Sequence, residues 1–143
     1  MKVGFASDHA GYQLKLAVIE YLKNKGYEVK DFGCYSTESC DYPDFAHPLA
    51  LAIEAGEVER GIAICSTGNG ITMTMNHHQG IRAALCWDVV LADFARRHNN
   101  ANVLGLPANY VSQELAFQIV DQFFAAEFEG GRHERRINKI PVK

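Results

Sequence analysis

Residues 61–70, GIAICSTGNG, join an apolar run typical of a buried strand to a loop punctuated by glycines. Residues 71–76 can then open a helix. The amides of such a loop and helix start point outward, and the helix dipole favours negative charge there, so the stretch predicts an anion site. Cys65 ends the strand, at the edge where open α/β sheets bind their ligands. We interpret the stretch as the active centre, with Cys65 favoured as a thiolate by the facing amides; a cysteine that only fills space is the alternative.

Similar apolar runs recur along the chain and alternate with segments of helical periodicity. Strands are predicted at residues 3–7, 27–32, 61–65, 81–86 and 102–106. The helices between them are predicted to end at Gly26, to start near Tyr42, to end near His78, to start after Asp88 and to include residues 115–124. This alternation implies βαβ units and a parallel sheet covered on both faces, with all strand carboxyl ends at one edge. We expect one domain spanning residues 1–143.

The composition narrows the classes of function. The 143 residues carry a formal net charge of −3, which leaves no basic excess for a general nucleic-acid-binding role. No apolar run is long enough to span a bilayer, and the start of the chain enters a strand without a signal peptide. The four cysteines have neither CxxC nor zinc-ligand spacing. We therefore expect a cytoplasmic protein with reduced thiols and neither nucleic-acid nor membrane partners.

A basic segment follows the last predicted core helix. Three arginines and a histidine fall within residues 132–136, directly after two glycines. Arg132 and Arg136 are four residues apart, so they share a face if the segment, about residues 130–140, is helical. Two guanidinium groups that project together suit a phosphate. A solvated basic tail is the alternative.

Taken together, six short motifs of this chain resemble those of the type B ribose-5-phosphate isomerases, which share a family with the galactose-6-phosphate isomerase subunits. The motifs are SDHAG at residues 7–11, CSTGNG at 65–70, GIRAA at 80–84, RHN at 97–99, ANVL at 101–104 and GGRH at 130–133. The resemblance implies a Rossmann-like three-layer α/β/α sandwich with a five-stranded parallel sheet. It also implies no cofactor, no metal, and a homodimer or homotetramer with active sites at the subunit interface. The implied reaction interconverts ribose 5-phosphate and ribulose 5-phosphate through an enediolate.

The same resemblance implies roles for individual residues. Cys65 would be the base that moves a proton between C2 and C1, and His98 would assist opening of the sugar ring. Asp8 would contact the substrate near that step, and Thr67 would tune the Cys65 proton. The amides of residues 66–70 would hold the enediolate oxygens, and two arginines would bind the phosphate. The full set of implied substrate-binding residues is Asp8, His9, Ser66, Thr67, Gly68, Asn69, Gly70, Asn99, Asn109, Arg132 and Arg136.

Two of these positions depart from the family's pattern. Ser66 stands where many members have glycine, and Asn109 stands where many have an arginine that reaches the substrate phosphate. The loss of that cation leaves a six-carbon substrate, allose 6-phosphate or galactose 6-phosphate, as an alternative. A non-catalytic phosphosugar-binding module is the alternative from another class. A cysteine-dependent phosphatase is excluded, because it needs an arginine six residues after the cysteine, where this chain has Ile71.

Overall fold

The computed structural model describes residues 1–142, which form a three-layer α/β/α fold. The strands are β1 (Lys2–Ser7), β2 (Glu28–Asp31), β3 (Arg60–Cys65), β4 (Ala83–Leu85) and β5 (Val103–Pro107). The helices are α1 (Tyr12–Asn24), α2 (Pro43–Glu54), α3 (Asn69–Met75), α4 (Val89–Arg97), α5 (Gln113–Ala125) and α6 (Arg132–Ile137). All strand pairs are parallel, in the order β2-β1-β3-β5-β4. The predicted five-stranded parallel sheet is confirmed.

Helices cover both faces of the sheet, which explains why the central strands read as continuous apolar runs. Ile62 and Ile64 of β3 point into the core under α1, α4 and α5. The alternate residues Ala63 and Cys65 point into the core under α2 and α3. The Cys65 side chain therefore lies on the α2–α3 side of the sheet. Within residues 1–142, no helix has the length and apolar character needed to cross a membrane.

The segment between α3 and β4 is longer than predicted. The predicted helix to about His78 ends at Met75, and the predicted strand 81–86 is only Ala83–Leu85. The side chain of Asn76 both donates to the Ala83 carbonyl, at 2.9 Å, and accepts from the Ala83 amide, at 2.8 Å. The Glu54 carboxylate accepts from the Gly80 amide at 2.9 Å. Side chains thus satisfy backbone groups that a longer helix or strand would have used.

A buried lysine ties α1 to the loop that follows β2. The Lys15 side chain is fully buried, and its ammonium lies 2.8 Å from the Asp31 carboxylate. The same ammonium also donates to the Cys34 carbonyl. This loop leads to Tyr42 and the start of α2, so Lys15 holds one wall of the carboxyl edge of the sheet in place.

Lys15→Met is expected to lower the free energy of unfolding by about 3 kcal/mol, because breaking a buried ion pair leaves one charge without its partner. The Asp31 side chain is 26% exposed, so water offsets part of that loss. Chemical denaturation measures the change. Lys25→Met is the matched control, since it breaks an exposed pair with Asp121 and should leave stability nearly unchanged. Equal losses in the two variants would contradict the role of Lys15.

Candidate active site

The carboxyl edge of the sheet brings together the residues that follow β1 and β3. These strands are neighbours, with Ser7 paired to Ile64, and the Asp8 amide donates to the Ile64 carbonyl at 3.2 Å. Asp8 and Cys65 are both buried, at 7% and 4% exposure. This edge therefore collects what we call the carboxyl-edge group, as the βαβ pattern predicted. Its members are Asp8, His9, Cys65, Ser66, Thr67, Gly68, Asn69, Gly70 and Asn109.

The loop after Cys65 presents free amides. Gly68 has a φ of +76°, a left-handed conformation that favours glycine, and this bends the loop ahead of α3. The amides of Thr67 and Gly68 donate no hydrogen bond to any residue of the described chain. The Thr67 hydroxyl oxygen accepts from the Asn69 amide at 3.2 Å. Its implied effect on the Cys65 proton remains a prediction. Two unpaired amides beside a thiol suit a developing oxyanion.

Asp8 and His9 are fixed by bonds that leave one polar atom each for a ligand. The Asp8 Oδ1 atom accepts from the Gly11 amide at 3.0 Å, which leaves Oδ2. The His9 Nδ1 atom accepts from the Cys40 amide at 3.3 Å. Because that nitrogen must be an acceptor, the proton of a neutral His9 lies on Nε2. Asp8 and His9 line an open pocket of about 470 Å³, together with Cys40, Asp41 and Tyr42.

Tyr42 is a pocket residue that was not predicted from the sequence. It was predicted only as a helix start, and the structure places it directly before α2. Its ring and hydroxyl occupy the space that a side chain on Gly70 would need. Tyr42 thus packs on the end of the Cys65 loop and also walls the Asp8–His9 pocket. This role depends on a contact with Gly70, which is far from Tyr42 in the sequence, so the sequence pattern does not predict it.

The two positions that depart from the family's pattern contact each other. The Asn109 side-chain amide donates to the Ser66 hydroxyl at 2.6 Å, and its backbone amide donates to the Ser66 carbonyl at 3.1 Å. The neighbouring Ala108 amide donates to the Cys65 carbonyl at 2.9 Å. The loop after β5 is therefore fastened to the Cys65 loop. Asn109 supports that loop instead of supplying a cation.

The other predicted site residues lie at the opposite, amino edge of the sheet. Asn99 follows α4, and its carbonyl accepts from Arg82, which precedes β4, at 3.1 Å. Arg60, the first residue of β3, donates to the Phe123 carbonyl in α5 at 3.2 Å. The ends of α4 and α5 thus meet the starts of the strands, because each helix runs back against the strand before it. We call His98, Asn99, Arg132 and Arg136 the amino-edge group.

One chain does not bring Cys65 and His98 together. Gly61 pairs with Val103 at the amino edge, and Cys65 pairs with Pro107 at the carboxyl edge. Four residues of extended strand separate these two levels, which corresponds to about 13 Å. The carboxyl-edge and amino-edge groups are therefore separate halves within a single chain.

His98 lies in a cluster of rings and charges. Its imidazole stacks on His133 of α6, with ring centres 4.1 Å apart and an angle of 10°, and it also contacts Phe94. The Glu129 Oε1 atom is 3.9 Å from His98 Nε2 and 3.5 Å from His133 Nε2. Burial lowers the pKa of His133, and the nearby His98 and Arg132 lower it further. No role was predicted for Glu129 or His133, although His133 belongs to the GGRH motif.

Residues 130–140 were predicted as a basic helical segment, and α6 covers Arg132–Ile137 of it. Arg132 and Arg136 are exposed on this helix. His98, Glu129 and His133 are ligand types that zinc accepts, and their donor atoms lie within 4.8 Å of one another. However, Arg97 binds Glu129 at 2.8 Å, and Arg132 and Arg136 lie close enough to act on His133. This positive surrounding disfavours a divalent cation and suits an anionic ligand.

Comparisons with known proteins place the whole chain within one family. A family model described as Ribose/Galactose Isomerase matches residues 3–140. Ribose-5-phosphate isomerase B of Escherichia coli is 44% identical over 139 residues, covering 97% of this chain and 93% of that protein. Ribose-5-phosphate isomerase B of Clostridium thermocellum superposes with a TM-score of 0.97 at 50% identity, covering 98% of this chain and 95% of the other. The Mycoplasma genitalium enzyme with bound ribulose-5-phosphate has a TM-score of 0.92 at 44% identity, covering 97% and 93%.

Proposed function

The chain belongs to the ribose/galactose isomerase family, and we propose that it is an aldose–ketose isomerase that interconverts ribose 5-phosphate and ribulose 5-phosphate. The observation that carries the proposal is the cysteine at the end of β3 beside two unpaired loop amides. Proton transfer next to a sugar carbonyl needs a base and donors that stabilise the enediolate, and a thiolate and loop amides can supply them. The near-complete coverage of relatives with this activity supports the same substrate.

The active site is shared between two subunits of a homodimer or homotetramer. The carboxyl-edge group of one subunit supplies Cys65, and the amino-edge group of another supplies His98. Support comes from their separation within one chain, because the base and the ring-opening group must both reach one sugar. A two-fold interface repeats every contact, so each dimer contains two such sites.

In the proton transfer, the Cys65 thiolate removes the proton from C2 of the open-chain aldose, and the electron pair forms the enediolate. The same proton or a solvent proton is returned at C1 while the proton of the C2 hydroxyl moves to the oxygen on C1, which gives the ketose. The amides of Thr67 and Gly68 hold the oxygen on which charge develops. One such donor stabilises a transition state by roughly 3 kcal/mol. Cys65 lies 4% exposed, so little water competes with these groups.

Ring opening comes first when the substrate is ribose 5-phosphate. The bond between C1 and the ring oxygen breaks, and the ring oxygen takes a proton from His98. The anomeric hydroxyl becomes the aldehyde as it gives its proton to the Asp8 carboxylate. His9 binds a sugar hydroxyl through its Nε2 proton. Asn99 of the amino-edge group binds the sugar from the other subunit.

Arg136→Ala is expected to raise KM for ribose 5-phosphate about 10-fold to 100-fold with a smaller effect on kcat. The reason is that a charge-assisted bond to the remote phosphate contributes to binding of both the ground state and the transition state. Steady-state kinetics measure it. Arg135→Ala is the matched control, since it removes an exposed arginine from the same helix that has no assigned substrate contact. An unchanged KM for Arg136→Ala would show that α6 does not bind the phosphate.

The choice of sugar is tested by kcat/KM for ribose 5-phosphate and allose 6-phosphate, measured side by side with Cys65→Ala as the control. We expect a clear preference for ribose 5-phosphate that is lost in the variant. A preference for the six-carbon sugar would favour the second candidate, for which the neutral Asn109 in place of an arginine is the specific observation. Binding of both sugars without turnover of either would contradict the proposed isomerase activity and favour a phosphosugar-binding module.

A further inference from the structure

We propose that Glu129 is a positioning residue for His98, anchored by Arg97 so that its free carboxylate oxygen keeps the His98 imidazole oriented for ring opening. This inference rests on the proposed function, because it concerns how His98 performs its step. Glu129 itself is not proposed to touch the substrate.

The anchor is a chain of bonds that immobilises one side of the carboxylate. Arg97 donates to Glu129 Oε2 through Nε at 2.9 Å and lies 2.8 Å from it through a second nitrogen. The Glu129 amide in turn donates to the Arg97 carbonyl at 2.9 Å. Arg97 also donates to Asp93 at 3.0 Å, and Asp93 accepts from Gln122 at 2.8 Å. Oε2 is therefore occupied, and Oε1 is the atom left to face the imidazoles.

The stacked histidines differ in their exposure. Their rings are nearly parallel at 4.1 Å, so each restricts the rotation of the other. The His133 side chain is only 8% exposed, and burial favours its neutral form. The His98 side chain is 35% exposed, with Oε1 of Glu129 at 3.9 Å from its Nε2. His98 is therefore the member of the pair that is open to a substrate.

The other charges around His98 follow from the elements packed against it. Asp93 and Arg97 face it from α4 itself, and Glu129 faces it from the loop after α5. Arg132 and Arg136 approach from α6, on the side of His133. Arg97 is paired with two carboxylates, Asp93 and Glu129. Glu129 is thus the carboxylate that faces His98 Nε2, at 3.9 Å.

The test compares Glu129→Gln with the wild type in two measurements. We expect kcat for ribose 5-phosphate to fall about 10-fold or more with KM within twofold. The second measurement is deuterium uptake from D2O at C1 of ribulose 5-phosphate, which reports the Cys65 step without ring opening. We expect that uptake to be unchanged. Glu127→Gln is the matched control, since it removes an exposed carboxylate two residues away.

Other outcomes would overturn the inference. An unchanged kcat would remove any link between Glu129 and His98, and a rise in KM alone would assign Glu129 to substrate binding. A parallel fall of kcat and deuterium uptake would indicate damage to the fold or the whole site. Arg97→Met, which frees the carboxylate without removing it, should lower kcat as well, but by less than Glu129→Gln. Failure of the proposed function is distinguishable, because the wild type itself would then show neither turnover nor deuterium uptake.

Discussion

Cys65→Ala is expected to lower kcat for ribose 5-phosphate by roughly 10³-fold or more while leaving substrate binding largely intact. The variant removes the only group that we propose to take the proton from C2, and the loop amides cannot replace a base. The side chain is small and buried, and the loop is held by backbone bonds to Ala108 and Asn109, so the pocket should keep its shape. Deuterium uptake at C1 of ribulose 5-phosphate should disappear together with turnover.

Cys86→Ala is the control for Cys65→Ala. Cys86 is also buried, but it points into the core under α1, α4 and α5, and burial raises its pKa to about 12. It is therefore a neutral thiol at physiological pH, and its removal should leave kcat and deuterium uptake unchanged. Isothermal titration calorimetry with ribose 5-phosphate measures whether each variant still binds the substrate. A Cys65→Ala protein that turns over normally, or one that no longer binds the sugar phosphate, would contradict the role of Cys65 as the base.

His98→Asn is expected to lower kcat for ribose 5-phosphate by about 10²-fold or more and to leave deuterium uptake by ribulose 5-phosphate nearly unchanged. The aldose is mostly a closed ring, so it needs a proton on the ring oxygen before the base can act. The ketose stays open, because the hydroxyl that would close its five-membered ring carries the phosphate. The two measurements therefore separate ring opening from proton transfer.

His77→Asn is the control for this variant, since His77 is exposed on the turn after α3 and has no proposed role. It should match the wild type in both measurements. If His98→Asn lost deuterium uptake to the same extent as turnover, His98 would act in the proton transfer itself or in holding the site together. Ring opening would then need another group.

The fold was predictable from the sequence where local pattern and burial agree. β3 and β5 are buried on both faces, so their apolar runs mark them directly, and glycine and asparagine-rich turns mark their ends. The limits of β4 were not predictable, because they depend on Asn76 and Glu54 bonding to backbone atoms that are distant in sequence. Side-chain bonds of this kind leave no periodic signal.

The candidate site was predictable to a similar extent. The position of Cys65 follows from the strand and its loop, and Asp8 follows from the neighbouring strand. Tyr42 and Glu129 were not predicted. Their proposed roles depend on contacts with residues far away in the sequence, Gly70 for Tyr42 and His98 for Glu129. The return of α4 against β4 also explains why His98 stands at the far edge from Cys65, although both belong to short motifs of one chain.

The shared site is the central claim, and mixing two inactive variants tests it most directly. Cys65→Ala and His98→Asn subunits are combined in equal amounts under conditions that exchange subunits, and native mass spectrometry confirms that mixed dimers form. In each mixed dimer one site receives both substitutions and the other receives neither. Random pairing makes half of the dimers mixed, so about a quarter of the wild-type activity should return. Mixed dimers with no more activity than the two separate variants would show that Cys65 and His98 do not act across the interface.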